Sequence, residues 1–334
     1  MTTTTATGRG DAIIEARGLA RSFKTKAGPV DAVKGVDLQV RAGEIVGLLG
    51  PNGAGKTTTL RMLTTLLAPS RGTATVAGLD LARQPREVRR RIGYVAQVGS
   101  APSAGTVVGE ELVTQGRLQG LSRSAARARV AELAPRLDLG GLEGRALLEL
   151  SGGQRRRFDI ALGLVHSPPL VFLDEPTTGL DPQSRSNLWQ HIRALRDDTG
   201  TTVVLTTHYL DEADALADRV MVMDHGEIVA DDTPDALKAR ISGDVVTLAL
   251  DPAAAGSEQA EAVVRGAVAA REVRITEAGV QVTVDDGATA IAPLLRAFDA
   301  AAITPTAVTV NRPTLDDVFL TLTGRSLREG EVAA

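Results

Sequence analysis

Not one residue of this chain is cysteine, which excludes disulfides, thiolate catalysis and cysteine-ligated metals. Aromatic residues are nearly as scarce, at 2%. The core must therefore be aliphatic, and there are too few rings for the base-stacking platforms of single-strand binders. Basic charge is not in excess: 37 Lys and Arg face 41 Asp and Glu, for a net charge of −4. The electrostatic footprint of a nucleic-acid-binding protein is missing. No stretch approaches the roughly 18 consecutive apolar residues that a membrane helix needs. The opening MTTTTATGRGD lacks the apolar segment of a secretory signal. We therefore expect no membrane span in the chain, and residues 1–11 to form a disordered tail. What is present is ordinary for a globular protein: 43% hydrophobic and 23% charged over 334 residues, enough for two domains.

The most informative segment is Gly50-Pro51-Asn52-Gly53-Ala54-Gly55-Lys56-Thr57. An apolar run, Glu44–Leu49, precedes it and reads as a buried strand, and Thr57–Leu63 reads as a helix. Strand, glycine-rich loop and helix is the context in which such a loop wraps a chain of phosphates. Its glycines allow the backbone to turn N–H groups inward, and the helix N-terminus adds positive potential. Lys56 supplies a point charge for the outer phosphates and the Thr57 hydroxyl a magnesium ligand, with Thr58 beside it.

Strand and helix signals alternate along the first two thirds of the chain. Short strands are expected at Ala12–Ala16, Val30–Val33, Val36–Val40, Glu44–Leu49, Gly72–Val76 and Ile92–Gln97, with a short helix at Pro85–Arg91. From about residue 103 to 168 the pattern turns helical, with Ser122 as an N-cap, and reads as a helical subdomain inserted in an α/β core. Strands return at Leu170–Leu173 and Thr202–Thr206 around a helix at Gln183–Arg196, which implies a mostly parallel sheet. A hairpin at Arg219–Ala230 and a helix at Pro234–Arg240 close a first domain of residues 12–242. Residues 243–324 then read strand, helix, strand, strand, helix, strand, the ferredoxin-like α+β order. A last helix, Leu315–Leu322, is capped by Thr314 with Asp317 three residues on. Residues 325–334 are expected to be a disordered tail.

Two further segments narrow the chemistry. Leu170–Leu173 is an apolar strand that runs into Asp174 and Glu175. Asp174 at the strand end can hold Mg²⁺ through its water shell, and Glu175 can polarise an attacking water. Ser151-Gly152-Gly153-Gln154 opens a helix, and its hydroxyl and N–H groups make a second anion site. One nucleotide needs one cradle, so the second points to another subunit's nucleotide. The three arginines that follow, Arg155-Arg156-Arg157, read as solvated.

With these segments in order, the chain resembles the nucleotide-binding subunits of ABC (ATP-binding cassette) transporters. GPNGAGKT resembles their Walker A loop, LSGGQ their signature and LVFLDEP their Walker B strand. Gln97 matches the Q-loop glutamine, Gly179-Leu180-Asp181 the D-loop, and His208 the switch histidine. The cassette, the small C-terminal domain and the segment PTLDDVFLTLTG together look like the daunorubicin/doxorubicin-resistance type of drug-exporter subunit.

The resemblance implies a P-loop cassette with a mixed-sheet core and an ATPase that uses ATP and Mg²⁺. It implies a head-to-tail homodimer in which Ser151, Gly152, Gly153, Gln154 and Asp181 meet the partner's ATP. Glu175 and His208 would be catalytic, and Thr57, Gln97 and Asp174 would hold the metal. Phe23 would stack on adenine, and Val33 would line the same base pocket. Separate transmembrane permease subunits would take the motor at the cytoplasmic face of the membrane, with residues 98–115 receiving their coupling helix. The C-terminal domain would regulate or stabilise the dimer, and efflux of a drug or antibiotic-like compound is the expected function. Alternatives are an importer ATPase, or a soluble ABC ATPase acting on ribosomes or DNA. The exporter-like C-terminal segment weighs against the first. A single cassette without a long coiled coil weighs against the second.

Overall fold

The computed structural model describes residues 12–26, 28–97, 105–241, 243–250, 258–276 and 279–324. The expected terminal tails, the first part of the expected coupling groove (residues 98–104) and residue 242 at the expected domain boundary lie outside these. The chain divides into two compact units between Asp231 and Asp232. The sequence expectation had placed that division after residue 242.

The first unit contains two sheets. One is antiparallel and formed by β1 (Ala12–Thr25), β2 (Gly28–Arg41), β4 (Arg71–Val76) and β5 (Leu79–Asp80), in the order β2-β1-β4-β5. The short strands expected before residue 42 merge here into two strands of 14 residues each, paired as one long hairpin. Shifts in register, one of them between Ala16 and Leu19, let this hairpin continue through residues that break simple alternation.

The second sheet has six strands in the order β10-β9-β3-β8-β7-β6, namely β10 (Glu227–Asp232), β9 (Arg219–Asp224), β3 (Ile45–Leu49), β8 (Thr202–Thr207), β7 (Leu170–Asp174) and β6 (Ile92–Val95). Strands β9, β3, β8, β7 and β6 run parallel. β3, β7 and β8 are buried at every residue, which is why they read as continuous apolar runs rather than alternating ones.

Alternation still decides what each residue does. Val46, Leu48, Leu170, Phe172 and Val204 feed a core shared with the antiparallel sheet and helix α1 (Lys56–Leu63). Ile45, Val171, Leu173, Val203 and Leu205 feed a second core under α5 (Gly152–Leu164) and α6 (Pro182–Thr199). Helices α3 (Val108–Leu118) and α4 (Arg123–Arg136) add Leu112, Val130 and Leu133 to that second core. Each fully buried aliphatic side chain contributes about 2 kcal/mol of transfer free energy. Ser122 caps α4 as expected, accepting a hydrogen bond from the Ala125 N–H. α6 starts on Asp181 with Pro182 at its first position, and stops at Gly200 in the left-handed conformation.

The second unit holds an antiparallel sheet of β11 (Asp244–Ala249), β12 (Glu272–Thr276), β13 (Gly279–Val284) and β14 (Ala307–Asn311), in the order β12-β13-β11-β14. With α9 (Glu258–Ala267) and α10 (Gly287–Ala300) after β11 and β13, this is the β-α-β-β-α-β arrangement read from the sequence. Val246, Leu248, Val264, Val280, Leu294 and Phe298 form its core. Helices α8 (Pro234–Ile241) and α11 (Leu315–Thr323) pack on each other, and the Thr314–Asp317 capping box starts α11. α2 (Pro85–Arg91) and α7 (Leu210–Leu216) complete the helices used below. Among the described residues, no helix is long and apolar enough to cross a membrane.

Candidate active site

The parallel strands β3, β6, β7 and β8 end on one edge of their sheet, and each delivers a polar residue there. Gly50 follows β3, Gln97 lies just past β6, Asp174 and Glu175 end β7, and His208 follows β8. This is the edge at which open parallel sheets bind ligands. Strand parity sets the facing: Asp174 continues the series Leu170, Phe172, and Thr206 the series beginning at Val204, so both point to the side of α1. They are also register partners.

The loop between β3 and α1 is held open by glycine at two close approaches. A Cβ on Gly50 would lie 2.2 Å from the Met223 carbonyl oxygen. One on Gly55, at φ +105°, would lie 2.5 Å from that of Ala32. The turn after β9 braces the loop through a hydrogen bond from the Gly226 N–H to the Ala54 carbonyl at 2.9 Å. Lys56 is 4% exposed, and its ammonium donates to the carbonyls of Gly50 at 2.6 Å and Pro51 at 3.0 Å. Burial pushes the Lys56 pKa down, against the opposing pull of Glu175 and Asp174.

Asp174 accepts from the hydroxyls of Thr57 at 2.9 Å and Thr206 at 2.7 Å. Glu175 is 6% exposed. Its carboxylate lies 3.8 Å from Lys56 Nζ and 3.4 Å from His208 Nδ1, and accepts from Gln97 Nε2 at 2.7 Å and Thr178 Oγ1 at 3.1 Å. Burial alone would raise its pKa. His208, Lys56 and Thr178 outweigh that and hold it below the ordinary value, so Glu175 is ionised near neutrality. Its backbone sits at φ +44°, a left-handed conformation that costs a non-glycine residue about 1–2 kcal/mol. The Glu175 N–H donates to Thr206 Oγ1 at 2.9 Å, which helps to pay for it.

The structure thus gathers Lys56, Thr57, Gln97, Asp174, Glu175 and His208 in one cluster. Ser151, Gly152, Gly153 and Gln154 start α5, where Ser151 and Gln154 form a capping box and Ser151 and Gly152 are exposed. Asp181 caps α6 through the Gln183 and Ser184 N–H groups, and hydrogen bonds from Ser184 keep its carboxylate below the ordinary pKa. Asn52 and Gly53 are exposed in the loop, Ala54 is buried beneath it, and Thr58 is half-buried in the first turn of α1. Phe23, on β1, has the Arg21 guanidinium stacked on its ring at 4.9 Å. Val33 is buried in the first core against Gly55.

Three contributors have no role in the site as read from the sequence: Thr206, Thr178 and Arg156. Strand parity would have found Thr206. Arg156 is 7% exposed rather than solvated, and its guanidinium donates to backbone carbonyls beneath the site.

An ABC transporter family model matches residues 33–178. The chain is 45% identical to the daunorubicin/doxorubicin resistance ATP-binding protein DrrA of Streptomyces peucetius, over 93% of this chain and 92% of that protein. It is 34% identical to the linearmycin resistance ATP-binding protein LnrL of Bacillus subtilis, over 93% and 99%. The chain belongs to the ATP-binding subunits of ABC transporters. Its fold agrees: a solved ATP-binding cassette, dimeric in a post-hydrolysis state with ADP and Pi, superposes with a TM-score of 0.60 at 25% identity, covering 66% of this chain and 98% of that one.

As an ABC ATPase, the chain uses ATP and Mg²⁺, and the residues present fit both. The Thr57 hydroxyl and Asp174 carboxylate share a hydrogen bond and are oxygen donors of the kind Mg²⁺ prefers. Among the described residues no group of three or more acids and histidines is placed to hold a metal ion by itself. Most ligands of the cation would therefore come from phosphate and water. Bound Mg²⁺ would neutralise charge on the phosphates. The chain's own part is to position and to move protons. Lys56 presents a desolvated positive charge at the loop, and Glu175 offers an ionised carboxylate, with His208 Nδ1 at 3.4 Å, that can orient and deprotonate a water.

Proposed function

We propose that this subunit is the motor of an exporter, with two ATP sites each shared between two copies of the chain. ATP binding would close the dimer, closure would drive separate membrane subunits, and hydrolysis would reset them. The observation that carries this reading is the separation of two anion-ready helix starts. α1 opens into the buried cluster around Lys56 and Glu175, whereas Ser151 and Gly152 at the start of α5 face outward. A cradle on the surface of one chain is suited to a nucleotide held by another.

Drug or antibiotic-like cargo is supported by relatives named for daunorubicin, doxorubicin and linearmycin resistance. Nothing in this chain needs to touch that cargo. The motor would work at the cytoplasmic face of the membrane. The base end of the site would use Phe23, with Val33 supporting the loop from below. The second unit would regulate or stabilise the dimer.

The test is drug susceptibility of cells that express the chain together with a candidate permease subunit. Wild type should raise resistance to an anthracycline and lower its intracellular level, and Glu175→Gln should do neither. Equal protection by the two forms would overturn the motor assignment.

A further inference from the structure

We propose that Arg156 is a positioning residue for hydrolysis, tying the start of α5 to Glu175 and Gln97 of its own subunit. The proposal rests on the shared-site reading above, in which the start of α5 receives a partner's nucleotide.

Arg156 lies on α5, two residues after Gln154. Its Nε donates to the Pro176 carbonyl at 2.7 Å. Its Nη2 donates to the carbonyls of Asp174 at 3.0 Å and Glu175 at 3.3 Å. Its Nη1 donates to the Ala96 carbonyl at 2.7 Å. One guanidinium therefore grips three consecutive peptides at the end of β7 and the peptide immediately before Gln97.

The chemistry of the grip is specific. Among the described residues Arg156 makes no ion pair. A buried cation is expensive, and here it is compensated by carbonyl dipoles and by the nearby charges of Asp159, Asp174 and Glu212. A rigid planar fork can satisfy several carbonyls from one position, which a lysine ammonium on a flexible stem does not do. The peptides it holds flank the left-handed turn at Glu175, φ +44°. The direction of those carbonyls fixes the direction of the Glu175 carboxylate. The Ala96 bond likewise fixes the backbone from which Gln97 reaches Glu175 Oε2. A displacement at the start of α5 is thus carried by a rigid helix and one side chain to the two residues that handle water and metal. In a shared-site dimer, each subunit's hydrolytic glutamate is set by whether its own signature has found the other nucleotide.

The experiment compares Arg156→Lys and Arg156→Gln with wild type in three measurements on the full chain. These are steady-state MgATP turnover, ATP affinity by titration calorimetry, and solution mass with ATP when each change is combined with Glu175→Gln. Displacing a positioned group by about 1 Å can cost about 100-fold, so kcat should fall about 10- to 100-fold. ATP affinity should stay at the wild-type value, and the double variants should still double in mass with ATP. Arg155→Lys, at a side chain that pairs with Asp159 at 3.5 Å, should leave kcat unchanged. Unchanged kcat in Arg156→Lys would overturn the proposal. So would a parallel loss of ATP affinity and ATP-dependent dimerisation in both variants, because Arg156 would then only hold the fold. Failure of Glu175→Gln alone to dimerise with ATP would remove the shared-site reading, and this proposal with it.

Discussion

Glu175 is 6% exposed, with Lys56, Gln97, Thr178 and His208 all within reach of its carboxylate. Ser151 and Gly152 stand in the open, and the hydrogen bonds at Ser151 are those of its own capping box. One region is assembled in the single chain, with its charges desolvated and paired. The other is an exposed helix start, which the shared-site proposal assigns to a partner's nucleotide. Buried charge suits bond-making chemistry, because fixed dipoles are strong where water is excluded. Exposed N–H groups suit recognition, because nothing need be expelled before a partner arrives. The difference predicts which changes alter turnover alone and which alter assembly.

The largest effect should come from the buried region. Glu175→Gln removes the carboxylate proposed to polarise water, and turnover should fall about 10²- to 10⁴-fold with ATP affinity retained. Normal ATPase rates in that variant would remove Glu175 from its role. Ser151→Arg should act in the opposite sense, through the exposed region. It should abolish ATP-dependent dimerisation, seen by gel filtration, and leave ATP binding by the isolated chain intact. Loss of monomer binding would show that the two regions are not separable.

A smaller effect is expected on stability. Gly55→Ala adds a Cβ 2.5 Å from the Ala32 carbonyl at φ +105°, and should destabilise the chain by about 2–3 kcal/mol in urea unfolding. An unchanged unfolding midpoint would mean that the loop can relax. The smallest effect concerns pH. The folded pKa of Glu175 is depressed, so the stability its charge contributes is fully present above the ordinary value of 4.5 and is lost as pH falls through the lower folded value. The stability difference between wild type and Glu175→Gln should therefore be flat from pH 7 to about 5 and change only below pH 4.5. No change in the difference below pH 4.5 would mean that the Glu175 charge contributes nothing to stability.

Much of the site was legible because its motifs constrain the backbone. A loop that must wrap phosphate needs glycine at close approaches, and a strand that must end at the ligand edge needs its carboxylates at that end. Parity even indicates that Asp174 and Thr206 face α1. Arg156 was not legible in a run of three arginines, where charge alone suggests solvent. Its register gave a signal: it stands four residues before Ile160 and eight before Leu164, on the buried stripe of α5. The long first hairpin was harder, because the residues at its register shifts interrupt alternation and make continuous strands look like separate short ones. The C-terminal sheet was easy by comparison, since its short elements and turns follow the order of a common unit.

The measurement that tests the central claim most directly is the solution mass of Glu175→Gln by light scattering, with and without ATP and Mg²⁺. The shared-site account predicts a monomer that doubles in mass when MgATP is added and returns to monomer when the nucleotide is removed. A chain that binds MgATP and stays monomeric would contradict it.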